Sequence, residues 1–246
     1  MKRSNTSLSL LDNTTLPLVL LGGTLCNTRL WQPAIDHMNV SAVICVTLTG
    51  ADSAEAQSKR LLAMLPEHFC LVGFSLGAIV ALQMLADAPQ RLAGLALISA
   101  NPFTAPPESA APRRAAVANA ARQGLVPWLT ATLWPHYVAP ERLDDANLHD
   151  TVVQMALECG LATFAQQTEI AITRHDHRAS LANFSHPILI LNGAQDVICT
   201  AQHHRAIATA APAAHWQTLP NCGHFLPLEA PEFTAAALRH WLMELL

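Results

Sequence analysis

The 246-residue sequence contains no basic run longer than Arg113-Arg114, and its 14 Lys and Arg are outnumbered by 18 Asp and Glu, for a formal charge of -4 with His neutral. That is not the footprint of a nucleic-acid binder. The six cysteines (Cys26, Cys45, Cys70, Cys159, Cys199, Cys222) lack the close paired spacing of a zinc knuckle or a redox dithiol. Their even number permits disulfides, but a chain of this size has core enough without them, so a reducing cytoplasmic setting is expected. No apolar run reaches membrane-spanning length, and Leu16–Leu21 is far too short. Ser4–Thr15 is mostly polar and contains Asp12 and Asn13, which is unlike the apolar stretch of a signal peptide. Internal repeats are absent. Charged residues make up only 13% against 51% hydrophobic, which excludes a disordered chain and predicts one globular domain with an insertion.

Short apolar runs alternate with longer helical stretches, the pattern of a mostly parallel sheet covered by helices on both faces. The predicted strands are Leu16–Leu21, Ala42–Leu48, Phe69–Phe74, Leu95–Ser99, Pro187–Leu191 and His215–Leu219, with Ser7–Leu11 as a further edge strand. Leu76–Ala88 is almost continuously apolar and stops at Pro89, as a helix buried against a sheet does. From Pro231 onward, Phe233, Ala237, Trp241 and Leu245 repeat every four residues and mark one stripe of a helix. Between Asn101 and Ser185 no strand pattern occurs. Helical stretches appear there instead: Ala111–Gln123, stopping at Gly124, and a stripe of Leu148, Val152, Met155 and Cys159, stopping at Gly160. The expected organisation is a core of residues 1–101 and 186–246, roofed by a helical cap insertion of residues 102–185.

Gly73-Phe74-Ser75-Leu76-Gly77 falls where an apolar strand gives way to a buried helix. A turn that tight holds a serine with its hydroxyl projecting, and the flanking glycines make room for the strand and helix to approach. A serine hydroxyl needs a base, and the base needs an orienting carboxylate. Asp196 follows the strand Pro187–Leu191 and His224 follows the last strand, so both are predicted at the same sheet edge as Ser75. Asp176 and Asn101 compete for the orienting role. Eleven other histidines compete with His224. His136, His149, His175 and His177 lie in the insertion, while His203, His204 and His240 read as helix positions facing water. Two backbone N–H groups are needed for the oxyanion: Leu76, directly after the nucleophile, and Thr24, in the glycine turn after the first strand.

At these residues the chain resembles the α/β-hydrolase superfamily, in particular the small esterases and lactonases of the pimeloyl-carrier-protein methyl esterase and 3-oxoadipate enol-lactonase group. The likeness rests on Leu20-Leu21-Gly22-Gly23 with Trp31, on Gly73–Gly77, on Gly193-Ala194-Gln195-Asp196, and on Gly223-His224 followed by Leu228-Glu229-Ala230-Pro231-Glu232. It implies Ser75 as nucleophile, Asp196 as orienting acid, His224 as base, and Thr24 and Leu76 as oxyanion donors. Many relatives carry His-Gly where this chain has Gly22-Gly23. The loop Leu48–Ser53 looks like a shortened form of the Pro-Gly-x-Gly-x-Ser turn of the group.

The expected activity is cleavage of a small carboxylic ester through an acyl-enzyme on Ser75, with a small-molecule substrate and no cofactor, metal, nucleic acid or membrane. The same groups also serve a lactonase, a thioesterase, a carbon–carbon bond hydrolase or a non-turnover binding protein. Gly23, Trp128, Phe164 and Arg174 are the candidate substrate-binding residues. The aromatics suit an acyl pocket or simple packing, and Arg174 or Arg178 suits a substrate carboxylate or a solvated face. The spacing of His175 and His177 brings no third metal ligand with it.

Overall fold

A strand buried on both faces needs an unbroken apolar run, and such runs form the centre of a six-stranded sheet whose outer strands are half-buried or more exposed. In the computed structural model, which describes residues 16–245, the strands are β1 (Leu18–Leu21), β2 (Val43–Val46), β3 (Phe69–Phe74), β4 (Leu92–Ile98), β5 (Ile188–Gly193) and β6 (His215–Leu219). All five pairings are parallel, in the order β2-β1-β3-β4-β5-β6. The predicted segment Ser7–Leu11 lies outside the described residues. β1 starts at Leu18 rather than Leu16: Pro17 has no N–H for the ladder, although its carbonyl accepts from Cys70 N at 2.9 Å. β4 starts three residues earlier than predicted, with a register shift where Phe69 and Cys70 pair with it.

Alternate residues send side chains to opposite layers. Leu18, Leu20, Val72 and Ile98 pack on the face shared with Leu238 and Trp241 of the helix Pro231–Met243. Val19, Leu21, Leu71 and Leu97 pack on the face covered by the helices Ala54–Met64, Leu76–Asp87 and Ala201–Ala210. Each such Leu or Val contributes about 1.5–3 kcal/mol by leaving water, so the sheet centre is the most costly part to disturb. The chain runs from β1 outward to β2 and then crosses back to β3 on the other side of β1. This reversal opens a crevice beyond the carboxyl ends of β1 and β3.

Residues 99–187, between β4 and β5, contain helices and no strand. The helix Ala110–Gln123 ends at Gly124, whose φ is 90°. The pattern predicts a stop at Gly160, and the backbone there is indeed non-helical (φ 73°, ψ 172°). The helix resumes at once, however, so the pair spans Ala146–Thr173. Side chains of this insert are fastened to the loops of the sheet. Gln167 Nε2 donates to Leu48 O (2.9 Å), Gln166 Oε1 accepts from Gly50 N (2.8 Å), and Arg29 pairs with Glu158 (2.7 Å). Among the described residues no helix is long and apolar enough to cross a membrane.

Backbone meets backbone closely at Gly77, where an added Cβ would overlap Leu21 O and lie 2.8 Å from Gly22 O, both rigid backbone atoms. Gly77→Ala is expected to cost at least about 1–3 kcal/mol through overpacking. Equilibrium urea unfolding checks this, and an unchanged midpoint would contradict the contact.

Candidate active site

β3 enters the turn so tightly that Ser75 takes a left-handed backbone conformation, φ 52° and ψ -110°. Such a conformation costs about 1–3 kcal/mol for a non-glycine residue and persists only where the surroundings enforce it. Here Ser75 N donates to Ile98 O (3.0 Å), and a Cβ on Gly73 would stand 2.6 Å from Ala78 Cα, so no other residue fits. The result places Oγ beyond the sheet edge, at the start of the helix Leu76–Asp87.

β6 ends at Leu219, and the following loop carries His224 to the same edge. Its Nε2 lies 2.9 Å from Ser75 Oγ, and its Nδ1 lies 2.8 Å from Asp196 Oδ2. An ionised carboxylate only accepts, so Nδ1 carries the proton and Nε2 is left to accept from the serine hydroxyl. Asp196 Oδ1 accepts from the backbone N–H groups of Ile198 and Cys199, both at 2.8 Å. Burial opposes the charge on Asp196, yet His224 and these N–H donors outweigh it and hold the carboxyl below its ordinary value. The imidazole packs against Phe74 (centroids 5.3 Å apart) and stacks near Tyr137 (6.3 Å). Ser99 Oγ donates to His224 O (2.8 Å), and Glu229 accepts from Gly223 N (3.0 Å) and Ala139 N (2.8 Å). The His224 loop is therefore held from the sheet on one side and from the insert on the other.

The competing groups make other bonds. Asp176 pairs with Arg178 (2.6 Å), and Asn101 Oδ1 accepts from Phe103 N (3.0 Å). His175 Nε2 meets Glu55 and His177 Nε2 meets Gln83, both at 2.8 Å, so the two rings do not share a partner. His204 corrects the expectation of a water-facing histidine: it is fully buried. Its Nδ1 lies 3.0 Å from Thr200 O, so it donates there, and its Nε2 accepts from Ala100 N (3.0 Å). That pairing fixes a neutral ring, and burial lowers its pKa to about 4. Ile207 and Ala211 at steps of three and four share its buried stripe, which is the signal that marks the position. His203 is half-buried, and His240 is exposed.

A cavity of about 390 Å³ opens on Ser75 Oγ beneath the insert. Its lining includes Thr24, Leu76, His224, Trp128, Phe164 and Arg174. Trp128 and Phe164 pack on each other at 5.2 Å. Gly23 is not part of the lining; a Cβ there would meet the Phe74 ring at 2.8 Å. Arg178 is turned away by Asp176 and lies over the Phe103 ring. Arg113, Tyr137, Gln167 and Cys199 also line the cavity, and no local pattern distinguishes them. Neither Thr24 N–H nor Leu76 N–H has an acceptor among the described residues, whereas the neighbouring Leu25 N–H donates to Gln167 Oε1 (2.7 Å). Asp196, Cys199 and His224 offer ligand atoms within 4.8 Å of one another. The first and last are already bonded to each other, and burial raises the Cys199 thiol well above its usual range, so this donor set is poorly suited to a metal.

The family described as the alpha/beta hydrolase fold matches residues 47–231. The pimeloyl-(acyl-carrier protein) methyl ester esterase of Aromatoleum aromaticum is 30% identical over 196 residues, which are 75% of this chain and 78% of that protein. A malate-bound thermophilic esterase from Thermogutta terrifontis superposes with a TM-score of 0.84 at 24% identity, covering 94% of this chain and 90% of the other. The enol-lactonase of Burkholderia xenovorans superposes with a TM-score of 0.79 at 18% identity, over 93% of this chain and 92% of the other.

The buried neutral His204 makes stability depend on pH. Its folded pKa of about 4 lies below its ordinary 6.5, so the unfolded chain binds the extra proton between those values. Its contribution is complete above pH 6.5 and is lost as pH falls toward 4. The loss is on the order of 3 kcal/mol. Thermal melts across this window are expected to show a steeper acid decline for the native chain than for His204→Gln, which keeps an acceptor and cannot titrate. Parallel declines would contradict the assignment.

Proposed function

Since the chain belongs to the alpha/beta hydrolase fold family, we propose that it hydrolyses a small carboxylic ester through an acyl-enzyme on Ser75. The observation that carries this reading is the continuous series Ser75 Oγ, His224 Nε2, His224 Nδ1 and Asp196 Oδ2, with links of 2.9 and 2.8 Å, opening on one cavity. Ser75 Oγ attacks the ester carbonyl carbon while His224 Nε2 takes the hydroxyl proton, and the carbonyl becomes a tetrahedral oxyanion. Asp196 keeps the ring in the tautomer that accepts at Nε2 and stabilises the imidazolium formed. Collapse of the intermediate breaks the bond to the alcohol, which leaves with the proton from His224. Water then attacks the acyl-serine, gives its proton to His224, and the acid departs as Ser75 regains its hydrogen.

The free N–H groups of Thr24 and Leu76 are the proposed oxyanion donors, the second reinforced by the start of its helix. The aromatic wall of Trp128 and Phe164 suits the apolar part of the acyl group. The Aromatoleum aromaticum relative, named for its methyl ester esterase activity, supports an ester over a thioester, lactone or carbon–carbon bond.

Ser75→Ala is expected to lower turnover of a p-nitrophenyl ester by on the order of 10⁶ and to abolish fluorophosphonate labelling. For the native chain kcat/KM is expected to fall on acidification, because a protonated imidazole no longer accepts the serine proton. Retained labelling in the variant, or an acid-insensitive profile, would remove Ser75 or His224 from its role.

Gln167 is proposed as a positioning residue, since it holds Leu25 N–H and Leu48 O from the insert and so shapes the loop that presents Thr24 N–H. Gln167→Leu is expected to reduce kcat about tenfold, the scale of one buried hydrogen bond left unmade. KM should move little, because the loop is asked to act on the oxyanion. A change confined to KM would assign Gln167 to substrate packing instead.

A further inference from the structure

The chain has one tyrosine, Tyr137, at the end of the short helix Trp134–Tyr137 in the insert. It lines the cavity of Ser75 together with Thr24 and Leu76, yet it is only 6% exposed. Backbone contacts fix its place: Tyr137 O accepts from Phe225 N (2.9 Å), and a Cβ on Gly223 would stand 2.5 Å from Val138 C and from Ala139 N. The phenol ring packs on Phe225 (centroids 4.6 Å apart) and lies within 25° of parallel to the His224 imidazole, at 6.3 Å. Packing accounts for an aromatic ring here, and phenylalanine would supply one. The hydroxyl is the part that packing leaves unexplained. Among the described residues it has no hydrogen-bond partner, and it is not one of the unpartnered polar atoms sealed in the interior, which are Trp31 Nε1, Gln57 Oε1 and Gln195 Oε1. It therefore opens on the cavity.

A nearly buried hydroxyl without a partner lowers stability, and buried tyrosines usually find one. Here the partner has to come from what enters the cavity. Burial, and then the neighbouring Cys26 thiol, push the phenol above its ordinary value, so it keeps its proton at neutral pH and can act as a donor. Cys26 also locates the hydroxyl end of the ring. It belongs to the turn after β1, and its Sγ donates to Thr24 O (3.4 Å). The phenol thus faces the turn that presents Thr24 N–H, on the side of the cavity where the oxyanion of the proposed reaction forms. We infer that Tyr137 Oη donates a hydrogen bond to the carbonyl oxygen of the bound ester, as a third oxyanion donor beside the N–H groups of Thr24 and Leu76. The proton stays on the tyrosine. As the carbonyl carbon becomes tetrahedral and its oxygen gains charge, the hydrogen bond strengthens, which favours the transition state over the bound ester. The inference rests on the ester-hydrolase reading and adds to it a catalytic residue supplied by the insert.

The test uses Tyr137→Phe, which keeps the ring and removes only the hydroxyl, on short apolar esters whose sole acceptors are the oxygens of the ester itself. Turnover is expected to fall about tenfold to a hundredfold in kcat with KM little changed, because the bond is strongest at the transition state. A trifluoromethyl ketone, which adds to Ser75 as a tetrahedral oxyanion, should lose affinity by a similar factor. The plain ketone of the same chain length stays trigonal and should bind the native chain and the variant alike. The melting temperature should not fall, since the group removed has no partner in the chain. Because the chain holds a single tyrosine, an NMR-active carbon placed at Cζ of tyrosine gives one signal, and this should shift when the trifluoromethyl ketone adduct forms but not with the plain ketone. A variant that turns over at the native rate, a loss confined to KM, or equal losses of affinity for both ketones overturns the third donor. An unmoved Cζ signal in the adduct overturns it without any substitution. Absence of fluorophosphonate labelling at Ser75 and of turnover on every ester overturns the hydrolase reading itself, so the two failures are distinct.

Discussion

The left-handed turn at Ser75 is the constraint on which the site depends. A backbone at φ 52° is costly for serine, and it survives because β3 and the helix Leu76–Asp87 approach too closely for any other path. Gly73 leaves no room for a side chain against the start of that helix, and Gly77 leaves none against Leu21 and Gly22 at the end of β1. With the turn in place, the hydroxyl stands clear of the sheet, Leu76 lines the cavity at the head of its helix, and the crevice between β1 and β3 brings the Gly22–Thr24 turn alongside. One strained residue thereby sets the positions of the Ser75 hydroxyl and of the Leu76 N–H.

The other half of the site hangs from β5 and β6, and the insert secures it. Glu229 ties Gly223 to Ala139, Phe225 N donates to Tyr137 O at 2.9 Å, and Gln167 holds the loop after β1 from the opposite side. The helical layer is therefore a structural partner of the loops around Ser75 and His224, as well as the roof of the cavity. The same layer supplies Arg113 and Arg174, which pair with no carboxylate among the described residues.

Much of this was legible in the sequence. The strands β1 to β5 were readable because buried parallel strands need largely continuous apolar runs; the more exposed β6 is not such a run. Boundaries moved at Leu18 and Leu92, and β2 shortened to Val43–Val46 while β5 lengthened to Gly193, because hydrogen-bond partners, not side chains, decide where a ladder begins and ends. Gly160 was readable as a helix stop through its residue type. That a second helix resumes without a loop was not, since glycine at φ 73° permits either outcome. His204 was misread because a histidine letter carries no sign of burial; only its step to Ile207 and the carbonyl of Thr200 make it a buried acceptor.

By itself the sequence determined whatever depends on a few neighbouring residues: the alternation of strands and helices, the tight turn at Ser75, and the strand-end loops bearing Asp196 and His224. Tertiary structure alone decided which groups 28 and 149 positions apart come within hydrogen-bond distance. It also decided that Gln167 reaches Leu25 and that Arg174 is left without an acid. Those outcomes turn on how helices seat against the sheet, where a shift of an ångström makes or breaks a polar contact, and no local pattern of residues encodes so fine a distance.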